Sequence, residues 1–371
     1  MDPDIKNAVQ SLHDWYDRNR RVLPWRQTSD PYAIWISEAM LQQTQVKTVI
    51  PYYQRFLERF PDIQALAGAD LEEVYKLWEG LGYYSRARHL HQAAGTLAAE
   101  TGGRLPDDEK RLRRLPGVGP YIAAAMLSIA FQQPFAVVDG NVKRVLARLF
   151  LLDIPVNQSA SHAVFQWFAD RLLDRTDPGR HNQAVMELGA LVCTPKNPAC
   201  NQCPVSFFCK AFEKNAVLQY PRREKRPALP VKRWASGVIV KNGQVLLVRR
   251  PETGLLSGLW EFPCVPVGNA PDNPTDAPAD NADAAEDGIE AGLRSTVGLR
   301  VSPARRITTI RHTYTHFKLV MDVFLCSFDG GRVRLSGPAG FKWLKPDKIS
   351  ALALHKAVHK ALPDIIKAVM K

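Results

Sequence analysis

The chain has six cysteines, and four of them lie within one short segment. Their spacing is Cys193-x6-Cys200-x2-Cys203-x5-Cys209. Four thiolates on one compact loop can bind Zn²⁺ tetrahedrally or hold a [4Fe–4S] cube. Zinc ribbons usually pair two short Cys-x2–4-Cys knuckles across a longer gap, which this spacing does not match. The segment is therefore a candidate metal or cluster site.

Two acidic residues stand in contexts that suit acid–base chemistry. Glu38 lies in the stretch AIWISEAMLQQT, where most residues three and four positions away are apolar. Burial and a second carboxylate nearby would both raise the pKa of Glu38, as a general acid requires. Asp139 follows the apolar run PFAVV and precedes GNVKR. That context also fits the N-cap of a helix beginning near Asn141, and the two roles are compatible.

A glycine-rich turn joins a basic segment to an apolar run. The sequence is LPGVG, ending at Gly119, and the apolar run begins at Tyr121. An isolated Gly-x-Gly is an ordinary turn signal. Between two helices, Gly117, Val118 and Gly119 resemble the hairpin of a helix-hairpin-helix motif. Such glycines let backbone N–H groups approach a DNA phosphate, and these contacts position a protein without reading sequence.

The predicted secondary structure that must hold these residues changes from helices to strands after about residue 220. Before it, apolar spacing and short breakers predict a mostly helical domain, with helices at 31–43, 71–80, 86–100, 121–131, 141–150 and 162–173. Residues 220–233, YPRREKRPALPVKR, predict an extended basic linker near an anionic partner. Beyond it, alternating residues around Asn242-Gly243 predict a β-hairpin and an α+β domain.

These patterns predict three parts: a helical domain at 1–219 that includes the cysteine loop 193–209, a linker at 220–233, and a second domain at 234–371. Residues 267–287, rich in Asp, Ala and Pro, predict a variable loop.

Composition bounds the function class. The 371 residues are 46% hydrophobic and 23% charged, as in soluble globular proteins. The longest apolar stretch is too short for a membrane span, and the N-terminus lacks a signal-peptide pattern, so we expect a cytoplasmic protein. The net charge of +12 favours a nucleic-acid partner, although a merely basic enzyme would share it.

The cysteine spacing and the Gly-Val-Gly hairpin resemble the endonuclease III superfamily of DNA glycosylases. Five strings narrow the resemblance to the MutY family of adenine DNA glycosylases: WISEAMLQQTQV, GLGYYSRARHL, LPGVGPYIA, VVDGNVKRVLAR and NQAVMELGALVC. The resemblance is dense over about residues 8–225 and looser beyond. It implies an all-α helix-hairpin-helix glycosylase domain with a [4Fe–4S] cluster on the four cysteines, plus an α+β Nudix-like domain.

The resemblance also implies a function. A base excision repair enzyme of this family would act as a monomer on double-stranded DNA containing A:8-oxoguanine or A:G mispairs, near a bacterial nucleoid. Glu38 would protonate N7 of the flipped adenine and later serve as base toward water. Asp139 would stabilise the oxocarbenium ion. Asn141 would be the orienting amide of the family, and Tyr121 would lie near the reacting sugar. Strand-cleaving relatives carry a lysine at position 121, so Tyr121 implies a monofunctional enzyme.

Further residues match binding positions of the family. The adenine pocket would use Arg21, Trp25, Arg26 and Glu187, although Trp25 equally fits a core position. Contacts that wedge into the duplex or touch the lesion strand would come from Gln43, Thr44, Leu81 and Tyr83. Lys143 is a possible adventitious amine, but a phosphate-facing lysine beside Arg144 fits it better.

The second domain resembles a Nudix fold without its chemistry. A Nudix box ends R-E-U-x-E-E-x-G-U, and its glutamates hold Mg²⁺. Aligned on Gly298, this chain has AGLRSTVGL at 291–299, which contains no acidic ligand. The loop HTYTH at 312–316 resembles the family's lesion-reading loop, whose common form is Phe-Ser-His. Thr315 keeps the hydroxyl and His316 the imidazole.

Two other functions fit parts of the chain. An endonuclease III-like pyrimidine glycosylase with lyase activity is disfavoured by Tyr121 and by the second domain. A catalytically inactive DNA-lesion binder is disfavoured by the intact pair of Glu38 and Asp139.

Overall fold

The computed structural model describes residues 2–225, 227–267 and 282–370. It divides into two compact units. Unit 1 comprises Met1–Gly68 and His89–Arg226, and unit 2 comprises Ala69–Arg88 and Pro227–Lys371. Within the described part of the chain, no helix is long and apolar enough to cross a membrane.

The first part of the chain is helical, as predicted. Its helices are α1 (Pro3–Asn19), α2 (Pro31–Leu41), α3 (Val46–Arg59), α4 (Ile63–Ala67), α5 (Leu71–Trp78), α6 (Ser85–Thr101), α7 (Glu109–Leu112), α8 (Pro120–Ile129), α9 (Gly140–Phe150), α10 (His162–Leu172), α11 (Pro178–Leu191) and α12 (Lys210–Glu213). Proline begins α1, α2, α8 and α11, where its missing N–H costs no hydrogen bond. Asp30 caps α2 by accepting from the backbone N–H groups of Tyr32 and Ala33.

One core of unit 1 lies between α1, α9, α10 and α11. Tyr16, Leu146, Phe165 and Leu188 are buried there. Three of the four clustered cysteines pack against its edge. Each fully buried side chain of this size contributes about 1.5–3 kcal/mol of transfer free energy, so this core fixes where the cysteine loop and the start of α9 lie.

Unit 2 is built on a seven-stranded mixed sheet. Its strands are β1 (Val231–Lys241), β2 (Gln244–Arg249), β3 (Trp260–Glu261), β4 (Cys264–Pro266), β5 (Leu299–Thr313), β6 (Lys318–Gly331) and β7 (Gly340–Leu344). The order is β3-β2-β1-β6-β5, with β4 also on β1 and β7 also on β2, and β1 runs parallel to β6. Helices α13 (Ala282–Val297) and α14 (Lys356–Val369) complete the α+β domain.

Two cores cover the two faces of this sheet. Neighbouring residues of β1 point to opposite faces, because side chains alternate along a strand. Val238 belongs to the core beneath α14, with Val358 of that helix. Ile239 belongs to the core beneath α13, with Leu293.

The predicted hairpin at Asn242-Gly243 is confirmed. Lys241 pairs with Gln244, and both turn residues have positive φ, 50° and 71°. Strand β1 already begins at Val231, inside the predicted linker 220–233. Of the predicted loop 267–287, residues 268–281 lie outside the described residues, but 282–287 belong to α13 and not to a loop.

Residues 69–88 pack with the C-terminal strands in unit 2, although residues 89–226 of unit 1 separate the two segments in sequence. The Nζ of Lys76 donates to the carbonyl of Ser350 at 2.7 Å, and the backbone N–H of Leu354 donates to Oε1 of Glu79 at 2.8 Å. The domain bounds 1–219, 220–233 and 234–371 remain a prediction from sequence pattern.

Candidate active site and cluster loop

A cavity of about 200 Å³ in unit 1 brings together most of the predicted catalytic residues. Its walls come from α2, α8, α9, α11 and the turn at 24–26. The predicted residues that line it are Arg21, Trp25, Arg26, Glu38, Thr44, Tyr121, Asp139, Asn141 and Glu187.

Glu38 is the buried acid of this cavity. It lies on α2, is 5% exposed, and accepts a hydrogen bond on Oε2 from the Tyr121 hydroxyl at 2.7 Å. Burial raises the pKa of Glu38 to about 7; the charge of Asp139 adds to the rise and the hydrogen bond from Tyr121 opposes it. A carboxyl with this pKa is partly protonated at neutral pH and can donate a proton.

Asp139 caps α9, as its sequence context predicted. Oδ1 accepts from the backbone N–H of Val142 at 2.7 Å, and Oδ2 accepts from Nδ2 of Asn141 at 3.1 Å. Burial raises the pKa of Asp139, while these hydrogen bonds and the charge of Arg144 favour its ionised form. The carboxylate is thus held in one orientation by its own helix.

Tyr121 stands at the start of α8, and burial keeps the pKa of its phenol well above the usual 10. It is therefore a neutral hydrogen-bond donor at this position. Lys143 does not line the cavity: its Nζ donates to the carbonyl of Val156 at 3.3 Å and lies 5.7 Å from the centre of the Phe165 ring. Arg144, the neighbour of Lys143 in sequence, is 7% exposed and turned inward, and the interpretation of Lys143 as a phosphate-facing lysine stays a prediction.

The inward guanidinium of Arg144 connects the catalytic segment to the cysteine loop. Its Nη2 donates to Oδ1 of Asn141 at 2.8 Å and to the carbonyl of Gly189 at 2.6 Å. Its Nε donates to the carbonyl of Cys193 at 2.7 Å. One side chain therefore ties the amide that holds Asp139 to the first cysteine of the loop.

Glu187 forms salt bridges with two arginines that also line this cavity. Oε2 lies 2.5 Å from Nη2 of Arg21 and 2.9 Å from Nη2 of Arg26. Burial raises the pKa of Glu187, but the hydrogen bonds from both arginines prevail and hold it at about 2. Trp25 is buried edge-on against Tyr53 and also lines the cavity, so it has a core position, and its role in an adenine pocket stays a prediction.

The sequence interpretation missed three residues of α11 that line the cavity, Gln183, Met186 and Ala190. Gln183 accepts a hydrogen bond on Oε1 from the Tyr16 hydroxyl at 3.2 Å. Met186 contacts the Tyr121 hydroxyl through its sulfur at 3.7 Å. Gln183 and Ala190 lie four residues before and three residues after Glu187, on the same face of α11, and this spacing could have identified them.

The predicted duplex-contacting residues fall in both units. Gln43, with φ of 57°, and Thr44 directly follow α2 in unit 1. Leu81 and Tyr83 belong to unit 2. Leu81 is 6% exposed and thus buried, whereas Tyr83 is 40% exposed.

The glycine hairpin lies between α7 and α8, as expected for a helix-hairpin-helix. Gly117 has φ of 78°, and a Cβ there would come within 2.7 Å of the His89 Cβ, so a side chain is excluded. Val118 is buried and anchors the turn, while Gly117 and Gly119 are exposed. Gly119 caps α8, whose first N–H groups lack partners within the helix.

The four clustered cysteines line one further cavity, with apolar neighbours and Arg148. Burial raises the thiol pKa of Cys200 and Cys209, and raises that of Cys203 to about 12. Bound iron displaces such protons, because thiolates are the metal-ligating form. Among the described residues, no three His, Cys, Asp or Glu side chains converge on a single metal ion. A [4Fe–4S] cube carries one thiolate on each of four corners, and the four cysteines that line this one cavity supply that donor set.

In unit 2, the predicted lesion-reading loop joins β5 to β6. A cavity of about 390 Å³ is lined by residues 82–85, 254–257 and 312–316 and by Lys356. The hydroxyls of Tyr83 and Thr315 lie 3.0 Å apart. Tyr314, which replaces the common phenylalanine, packs on Phe317, and its buried hydroxyl has no hydrogen-bond partner in the described part of the chain.

Comparison with known proteins agrees with this arrangement. The model of the HhH-GPD superfamily base excision DNA repair proteins matches residues 36–166, and that of the endonuclease III iron–sulfur binding domain matches residues 193–209. A NUDIX domain model matches residues 235–364. The adenine DNA glycosylase of Homo sapiens is 36% identical over 405 residues, which cover 94% of this chain and 72% of that protein. The chain belongs to the adenine DNA glycosylase family.

Other relatives agree with this assignment. An adenine DNA glycosylase of Buchnera aphidicola subsp. Baizongia pistaciae is 36% identical over 256 residues, covering 68% of this chain and 72% of that one. Among solved structures, a thermostable thymine-DNA glycosylase is 30% identical with a TM-score of 0.53, over 57% of this chain and 97% of that one. The present chain is a base excision repair glycosylase that binds DNA, and its loop at 193–209 carries a [4Fe–4S] cluster.

Proposed function

We propose that this glycosylase removes adenine paired with 8-oxoguanine, or with guanine, by hydrolysing the N-glycosidic bond without cleaving the strand. The observation that carries the proposal is the triad of Glu38, Tyr121 and Asp139 in one cavity of unit 1. A buried acid and a held carboxylate on opposite sides of a sugar are the two parts that glycoside hydrolysis requires.

Glu38 is the general acid. Its Oε2 accepts from Tyr121, so the carboxyl presents Oε1 to the base and gives its proton to N7 of the flipped adenine. Protonated adenine leaves as a neutral base. The carboxylate that remains then serves as general base toward the attacking water.

Asp139 is the anionic partner of the sugar. As the C–N bond breaks, positive charge develops on the sugar ring, and an ionised carboxylate beside it lowers the barrier. Opposite charges about 4 Å apart at an effective dielectric of 20 interact by about 4 kcal/mol, or about a thousandfold in rate. Asn141 and the Val142 N–H keep Asp139 oriented for this role.

The pocket walls select adenine. Because both oxygens of Glu187 accept from Arg21 and Arg26, we assign Glu187 the positioning of these two cations. Gln183 offers an amide that can both donate and accept, which suits the edge of adenine. Trp25 supplies an apolar wall.

Among the described residues, no lysine lines this cavity, which supports a monofunctional enzyme. A strand-cleaving mechanism needs a lysine to form a Schiff base with the sugar, and a tyrosine stands at position 121. Lys143 is turned toward Val156. We therefore expect an intact abasic strand as the product.

Unit 2 recognises the base that is paired with the target adenine. Tyr83, Thr315 and His316 share one cavity and offer two hydroxyls and an imidazole to an oxidised purine. Gln43 and Thr44 would support the opened duplex, and the hairpin at 117–119 would hold its phosphates. The cluster, bound by the four cysteines, would tie down the loop after α11. The enzyme would act as a monomer at the bacterial nucleoid.

The test is a pair of matched substitutions. Glu38→Gln keeps the shape of the side chain and loses the transferable proton, so it should bind the mispair but release adenine at least a thousandfold more slowly. Glu58→Gln, at an exposed glutamate of α3, is the control and should match the wild type. Glu38→Gln turnover within tenfold of wild type would place the acid elsewhere.

A further inference from the structure

Arg148 is a fully buried cation beside the cysteine loop. It lies on α9 and is 1% exposed. Its guanidinium donates to four backbone carbonyls, those of Thr194, Pro195, Val217 and Tyr220, at 2.8 to 3.3 Å. Its Nη1 also donates to Sγ of Cys193 at 3.2 Å. All of these acceptors lie in or just after the loop that holds the four cysteines.

Carboxylates do not neutralise this charge. Among the described residues, no Asp or Glu oxygen lies within 4 Å of a nitrogen of Arg148 or Arg144. Two other largely covered arginines, Arg26 and Arg250, are paired with Glu187 and Glu261. A buried charge without a partner costs several kcal/mol, so a fold that keeps one normally supplies an anion.

The cluster is an anion of the right size and place. Four thiolates around a [4Fe–4S] core of charge two plus leave a net charge of about −2. The Sγ of Cys193 touches Arg148, and Arg144 donates to the carbonyl of the same cysteine. The buried guanidinium of Arg148 therefore lines a site whose bound form carries about two negative charges, and that of Arg144 contacts the backbone of the same cysteine.

We propose that Arg148, assisted by Arg144, is the counter-charge of the bound cluster and raises its reduction potential. This inference depends on the cluster and not on the proposed substrate. A nearby positive charge stabilises the more negative, more reduced state. When the core is oxidised by one electron, the net charge goes from about −2 to −1 with no bond made or broken, and the guanidinium opposes that loss. N–H···S hydrogen bonds act in the same direction.

The experiment uses the cluster-loaded full chain in protein-film voltammetry, where the electrode takes the electron. Arg148→Met should lower the potential for oxidation of the cluster by at least about 59 mV, which is a tenfold change in the oxidised-to-reduced ratio. Arg148→Lys keeps the charge and should retain more than half of the wild-type effect. Lys196→Met removes an exposed charge from the same loop and is the matched control, which water screens.

A second readout is the rate at which ferricyanide bleaches the visible absorption of the cluster. Arg148→Met should bleach at least tenfold faster than Lys196→Met. Equal potentials in these two variants, or an Arg148→Lys potential as low as that of Arg148→Met, would overturn the proposal. If Arg148→Met does not load, Arg144→Gln decides: a potential below that of Lys196→Met supports the proposal, and an equal one refutes it.

Discussion

Removing the hydroxyl of Tyr121 should shift the pH dependence of adenine release toward alkaline pH. In the structure this hydroxyl donates to Oε2 of Glu38 at 2.7 Å, and the bond lowers the pKa of Glu38 because an ionised carboxylate is a stronger acceptor than a protonated one. Tyr121→Phe leaves burial and the charge of Asp139, which both raise the pKa of Glu38. The pKa must therefore rise above its present value of about 7.

The size of the shift follows from the strength of the bond. A hydrogen bond to a charged group contributes about 1.5–3 kcal/mol, and one pKa unit corresponds to about 1.4 kcal/mol, so we expect a rise of about one to two units. A general acid is active while protonated. The alkaline limb of the rate profile, set by Glu38, should thus move up by the same amount.

Single-turnover release of adenine between pH 5 and pH 9 measures this limb. Tyr52→Phe, a matched change on α3 away from the cavity, should leave the profile in place. An alkaline limb in Tyr121→Phe that stays where it is, or moves to lower pH, would refute the assignment of Glu38 as the acid held by Tyr121.

Further predictions concern the sugar, the opposite base and the fold. Tyr121→Lys should gain strand cleavage that borohydride traps on position 121, whereas wild-type protein should show no such adduct. The double variant Thr315→Ala, His316→Ala should lose about 30–150-fold of the preference for A:8-oxoguanine over A:G, equivalent to about 2–3 kcal/mol. Its activity on A:G should change less than threefold. Equal losses on both duplexes would contradict the proposal that these two residues recognise 8-oxoguanine. His181 has its pKa lowered to about 3 by burial, so the unfolded chain takes up a proton near pH 6.5 that the folded chain refuses. The free energy of unfolding should therefore fall by about 1.4 kcal/mol per pH unit below pH 6, and urea titrations of His181→Asn should lack that slope.

Sequence patterns located the proposed catalytic groups because these depend on local structure. Asp139 follows an apolar run and caps its own helix, and Glu38 is an acid in an apolar helix, so both could be identified from neighbours within a few positions. The turn at Asn242-Gly243 was predictable for the same reason, since its backbone conformation is set by two residues.

Features that depend on long-range packing were not predictable in this way. The string around Asp139 contains Arg144 and Arg148. In the structure Arg144 binds Asn141, and both arginines contact Cys193 of the cysteine loop. Nothing in the string predicts these contacts, because the loop follows some fifty residues later. Residues 69–88 join the C-terminal strands through pairs such as Tyr83 with Thr315, which lie 232 positions apart. That packing also buries Leu81, a residue expected at the duplex.

The most direct test of the account is base release by the purified full chain from three duplexes that differ in one pair: A:8-oxoguanine, A:G and T:G. The account predicts that adenine is released from the first two, fastest opposite 8-oxoguanine, that thymine is not released, and that the product strand breaks only after hot alkali. Release of thymine at a comparable rate, or strand cleavage without alkali, would contradict an adenine-specific monofunctional glycosylase.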